Sequence, residues 1–95
     1  MAPETLPTLS EASRALWLAT LSLMTAFMQT RAPAHRLLMA RRIARNFATL
    51  REQECFTAEC RGRFARLGTR WQERADQLQG KPAATSPWRA LLGLR

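Results

Sequence analysis

Between Arg14 and Arg31 sixteen consecutive residues, Ala15 to Thr30, carry no charge. As a helix the run spans about 24 Å, short of the roughly 30 Å of a bilayer core. Thr20, Ser22 and Thr25 interrupt it as well. A secretory leader also fits poorly. Ala32-Pro33-Ala34 resembles a small-residue cleavage site, but Glu4 and Glu11 oppose Arg14 where a basic region is needed. With span and leader set aside, the expected location is cytoplasmic, and the run has to be buried against protein. A membrane-associated protein anchored by residues 15–30 stays as an alternative.

The rest of the composition says which kind of protein. There is no Val, no Tyr and a single Ile, Ile43. The residues that favour pleated strands are nearly missing. Ala, Leu, Arg, Glu, Gln and Met dominate, and these form helices readily. The 95 residues make one domain, of which 1–80 carry the helical pattern.

Punctuation then divides the chain. Thr8-Leu9-Ser10-Glu11 reads as a capping box, which starts helix one at about residue 9. Pro33 ends it near residue 30, because proline removes a donor and clashes with the preceding turn. The same proline suits the first position of a new helix, here about 33–51. Thr57 is a good N-cap with Glu59 in the first turn, so helix three runs about 57–79. Gly80 and Pro82 close it. Residues 81–95 read as a linker and a short amphipathic helix with Trp88, Leu91 and Leu92 on one face. The expected fold is all-α: an antiparallel three-helix bundle plus this short C-terminal helix.

Helix two has a core stripe of Met39, Ile43, Phe47 and Leu50, flanked by Ala40 and Ala44. Helix three has Cys60, Phe64, Leu67, Trp71, Ala75 and Leu78. Gly68 falls beside that stripe and suggests a close helix contact, with Ala40 or Ala44 as the partner. Helix one carries two stripes. Trp17, Leu21, Met24 and Met28 form one. Leu16, Leu23 and Phe27 form the other, with Ala12, Ala19 and Ala26. A helix apolar on nearly all sides is normally a buried one. Three helices cannot cover both stripes, so the spare one needs the C-terminal segment or a second copy. The first stripe is the candidate for self-association.

No motif carries chemistry. Cys55 and Cys60 have C-x4-C spacing, not the C-x2-C of a zinc or thioredoxin-like site. His35 lies about 30 Å from them along helix two. The Cys60 thiol, on the core stripe, reads as a small hydrophobe. The seven carboxylates are scattered, and the spacings Glu59–Arg63 and Arg70–Glu73 suit surface pairs. The expectation is a chain with no catalytic, cofactor-binding or metal site, and hence no enzyme.

The net charge is +8, and fourteen of the fifteen basic residues are Arg. An Ala- and Arg-rich composition is what a GC-rich bacterial genome yields. It also provides two cationic faces: Arg41, Arg42 and Arg45 on helix two, and Arg63, Arg66, Arg70 and Arg74 on helix three. Such ladders can track phosphates or an acidic partner. No aromatic residues interleave with them, so a stacking platform for bases is not visible. The function expected is therefore a small, non-catalytic helical interaction protein of bacterial type. Its partner is another protein or a second copy. Nucleic-acid binding through the arginine faces is the alternative. The tail anchors Trp88, Leu91 and Leu92 serve either as a ligand for another protein's groove or as a lid on helix one.

Overall fold

The computed structural model describes residues 8–80, and these are all-helical, with no strand. Three helices account for them: α1 (Leu9–Gln29), α2 (Pro33–Leu50) and α3 (Ala58–Leu78). The expected C-terminal helix and its anchors Trp88, Leu91 and Leu92 lie outside the described residues.

Each boundary has a local cause. The Thr8 hydroxyl accepts from the Glu11 amide at 3.0 Å, and the Glu11 carboxylate accepts from the Thr8 amide at 2.8 Å. The capping box is thus formed. Hydrogen bonding from Thr8 to the carboxylate, from the backbone amide first and the side chain second, holds the Glu11 carboxyl below its ordinary range. Thr30 ends α1 in an extended conformation, and Pro33 opens α2 at its first turn. Thr57 caps α3 by accepting from the Cys60 amide at 3.1 Å. Gly80 follows α3 with φ +84°, a left-handed conformation that glycine adopts without strain.

α2 packs against both other helices. Its buried line is Ala40, Ile43, Ala44, Phe47 and Leu50, with Met39 half-buried beside it. α1 and α3 reach each other through aromatic rings. Trp17 lies 5.1 Å from Phe64 and 5.8 Å from Phe47, centroid to centroid. Phe27 lies 4.9 Å from Trp71 in an edge-to-face contact. Gly68 allows the closest approach of α3 to α2. A Cβ there would stand 3.2 Å from the Phe47 Cβ, with the Ala44 carbonyl and the Ala48 amide just beyond. The contact expected with Ala44 is therefore present, and the tightest neighbour is Phe47.

The inner line of α1 coincides with neither apolar stripe as a whole. The buried residues are Ser13, Thr20 and Phe27, spaced seven apart, and of these only Phe27 belongs to a stripe, the second. Two of the three are hydroxyl residues, and both hydroxyls are satisfied. Thr20 donates to the Leu16 carbonyl at 2.7 Å, and Ser13 donates to the Gln53 side-chain oxygen at 3.2 Å. A hydroxyl bonded within its own helix turns a nearly apolar surface to its neighbours. Leu16, Trp17, Leu23 and Met24 flank this line, half-buried against the core.

Cys60 requires a correction. It is exposed, as is Cys55. Phe56, in the connection before α3, packs its ring 5.0 Å from Phe64. It closes the end of the core that Cys60, in the first turn of α3, was expected to close. Among the described residues, no helix is long and apolar enough to cross a membrane.

Candidate functional site

The outward faces of α1, α2 and α3 differ in kind. On α1, Leu18 is 63% exposed, Leu21 39% and Met28 73%. With Thr25, also exposed, they recur at intervals of three, four and three residues. That spacing places them on one side of the helix, away from the line of Ser13, Thr20 and Phe27. The Thr25 hydroxyl donates to the Leu21 carbonyl at 3.2 Å, so it needs no outside acceptor. Ala15, Ala19, Ser22 and Gln29 complete an exposed surface without a formal charge.

The stripe Trp17, Leu21, Met24 and Met28 is divided by the fold. Trp17 and Met24 pack on the core, while Leu21 and Met28 are exposed. Leu18 is the member of the outer face that sequence reasoning missed. Only the direction in which α1 meets α2 and α3 selects it, and an apolar helix does not encode that direction in its own pattern.

The arginines form hollows rather than one continuous face. Arg63, Arg66 and Arg70 border one with Leu67. Arg41 and Arg45 border another with Ala44, Ala48 and Gln72, across the α2–α3 seam. Arg41 and Arg45 also join Arg42 around Leu23, Leu38 and Met39, and Leu38 is 60% exposed there. Arg74 leaves its ladder: its guanidinium lies 5.5 Å from the Trp71 ring and 5.7 Å from the Phe27 ring. Ion pairs among the described residues are Arg63–Glu59 at 3.2 Å and Arg51–Glu52 at 3.5 Å. Arg70 and Glu73 form none, contrary to their spacing. Arg42, Arg45, Arg66 and Arg70 are exposed and have no carboxylate within ion-pair distance among the described residues.

Arg36 was not singled out by sequence, yet it fixes the α1–α2 connection. Its guanidinium donates to the Phe27 carbonyl at 3.1 Å and the Thr30 carbonyl at 2.9 Å. It also lies 4.0 Å over the Phe27 ring. A cation at the carboxyl end of a helix satisfies orphan carbonyls and meets the negative end of the dipole. The signal was a cation just after a proline-opened helix start. It was hidden because the beneficiary is the preceding helix.

Among the described residues, no group of three His, Cys, Asp or Glu is placed to hold a metal ion. No family model, curated protein or solved structure matches the chain.

Proposed function

We propose that the protein works by contact, as a small non-catalytic interaction module whose partner is a second copy. The supporting observation is the outer face of α1, where Leu18, Leu21 and Met28 stand in solvent on a helix with no formal charge from residue 15 onward. Exposed apolar surface of this kind marks interaction sites. The scaffold that presents it is read as an antiparallel three-helix bundle. Contacts of Ser13 with Gln53 and of Arg36 with Phe27 support opposite directions for α1 and α2. The Phe64 ring 6.0 Å from Phe47, and Gly68 one turn further on facing the Ala44 carbonyl one turn back, support the same for α2 and α3.

The test is the mass of the full chain by size exclusion with light scattering, in the absence of detergent. The expected result is a dimer that Leu21→Arg dissociates while leaving the helicity unchanged. A wild-type monomer at every concentration refutes self-association.

The unpaired arginines favour a second reading, binding to a phosphate polymer. Arg42, Arg45, Arg66 and Arg70 would each displace condensed counterions from such a polymer. Binding should then weaken steeply with salt, and Arg66→Glu with Arg70→Glu should reduce the salt slope. Absence of binding at low salt sinks this reading.

A further inference from the structure

Apart from any contact between copies, we infer a second docking surface: the hollow between α1 and α2 takes an acidic amphipathic helix of a different protein. This hollow joins apolar and cationic side chains in one place. Leu23 of α1 lines it with Leu38 and Met39 of α2, and so do Arg41, Arg42 and Arg45. Leu38 is 60% exposed, while Leu23 and Met39 are half-buried. Along α2, Leu38, Arg42 and Arg45 follow at intervals of four and three residues, which sets them in a line one turn apart. The line is about 10 Å long, two turns of rise. A helix crossing at the shallow angle of bundle packing stays in reach of all three. Its matching edge is an apolar side chain followed by carboxylates one and two turns further on. The apolar side chain covers Leu38. The carboxylates accept paired hydrogen bonds from the guanidinium groups.

Charge selects this hollow over its neighbours. No acidic residue occurs between Glu11 and Glu52, so α2 has no counter-ion of its own. Arg41, Arg42 and Arg45 are in no ion pair among the described residues. Arg36, the other arginine of α2, is engaged with the end of α1. The α3 hollow is different. Arg63 is already paired with Glu59 there, and its apolar member, Leu67, is half-buried. Its volume is about 340 Å³, against about 480 Å³ between α1 and α2.

Charge also selects the occupant. A second copy has no helix with the matching edge. α1 beyond Glu11 and the whole of α2 lack a carboxylate. On α3, Glu59 is held by Arg63, and Glu73 and Asp76 stand among Arg70 and Arg74. Residues 81–95 contain Lys81, Arg89 and Arg95 and no acid, so the chain's own end does not supply it. A bare phosphate polymer meets the arginines and leaves Leu38 in water. A purely apolar partner covers Leu38 and desolvates guanidinium groups without compensation. A helix bearing carboxylates beside an apolar stripe satisfies both, and complementary charge then fixes its register.

The test pans displayed peptides of about fifteen residues, long enough to form a helix, against the full chain. Recovered peptides should carry Asp or Glu beside an apolar stripe. One of them, made synthetically, is then titrated by fluorescence anisotropy. Leu38→Ser should weaken binding about fivefold or more. Arg42→Gln with Arg45→Gln should weaken it about tenfold or more. Arg66→Gln with Arg70→Gln should leave it unchanged. Replacing the peptide's carboxylates by lysine should abolish binding to wild type and restore it to Arg42→Glu with Arg45→Glu. Circular dichroism checks that each variant keeps its helices. A library that yields no acidic apolar peptide overturns the proposal. So does a peptide that ignores Leu38→Ser and is displaced by a duplex oligonucleotide, because the hollow then reads polyanions. Loss through Arg66→Gln with Arg70→Gln alone moves the peptide to α3 and overturns it too. Light scattering should give Leu38→Ser the mass of wild type, whatever that mass is. A changed mass would place the hollow in the contact between copies and overturn a separate surface.

Discussion

α1 and α3 are both 21 residues long, both begin on a threonine cap, and both pack on α2. Their outward faces are opposites. α3 turns Arg63, Arg66 and Arg70 to solvent, as the outer side of an amphipathic helix is expected to do. α1 turns out Leu18, Leu21 and Met28. The inner lines do not explain this difference. α3 buries Phe64 and Ala75, and α1 buries Phe27 together with two hydroxyl residues. The helix with the more polar inner line has the more apolar outer face. Packing among the described residues therefore accounts for the composition of α3 and not for that of α1.

The comparison breaks most severely where the two helices meet. Phe27 is fully buried between Trp71, Arg36 and Arg74. Phe27→Ala should cost about 3–5 kcal/mol, the usual range for a large core aromatic. Urea unfolding followed by circular dichroism reads this. A loss below 1 kcal/mol or so would mean that α1 is not held by α3 through this ring. The next effect concerns α3 and α2 alone. Gly68→Leu forces a side chain against the Phe47 Cβ and the Ala44 carbonyl. Overpacking of that kind costs about 1–3 kcal/mol. The outer face of α1 should be indifferent to it, so the oligomeric state should survive at concentrations where the fold does.

Much of this architecture was legible in the sequence, because its signals are local. Thr8 with Glu11, Pro33 and Thr57 each open a helix on their own turn, and α3 ends two residues before Gly80. What was not legible depends on several elements at once. Ser13 and Thr20 read as polar interruptions, yet they are buried, because one bonds across to Gln53 and the other back onto its own helix. Cys60 followed the period of the α3 core stripe and still faces solvent, because Phe56 reaches the core first. The outer face suffered the same way. Periodicity identifies two apolar stripes on α1, but only the placement of α2 and α3 shows that Leu18 lies outside and Trp17 inside.

The two threonine caps sharpen the comparison further. Thr8→Ala and Thr57→Ala should each cost about 1 kcal/mol. Their surroundings differ in one respect. At Thr8 the Glu11 carboxylate completes the cap, whereas the corresponding position after Thr57 is Cys60. The Glu11 carboxyl is held below its ordinary range by hydrogen bonds from Thr8. A depressed carboxylate contributes stability that is fully present above its unfolded pKa and is lost as pH falls through the folded one. The difference in stability between wild type and Glu11→Ala should therefore shrink toward zero on acidification. The cost of Thr57→Ala should stay level over the same range. Equal pH dependence of the two would show that the carboxylate plays no part in the cap.

The smallest change in stability should come with the clearest separation of roles. Leu18→Arg and Arg66→Glu both replace exposed side chains on outward faces. Surface changes away from caps and core usually stay within about 0.5 kcal/mol, so unfolding of the dilute monomer should barely move in either case. Their other consequences should be disjoint. Leu18→Arg raises the positive charge and puts a guanidinium on the uncharged outer face of α1. It should abolish self-association while leaving, or strengthening, retention on an anionic column. Arg66→Glu removes one cation from the hollow it shares with Arg63 and Arg70. It should weaken retention on that column and leave the dimer mass unchanged. If Arg66→Glu also dissociates the dimer, the two faces are not independent, and the α3 surface belongs to the contact between copies. If Leu18→Arg leaves the dimer intact, the exposed leucines of α1 are not what holds it. Comparing the two variants by mass and by retention therefore decides whether the opposite chemistries of α1 and α3 serve one interaction or two.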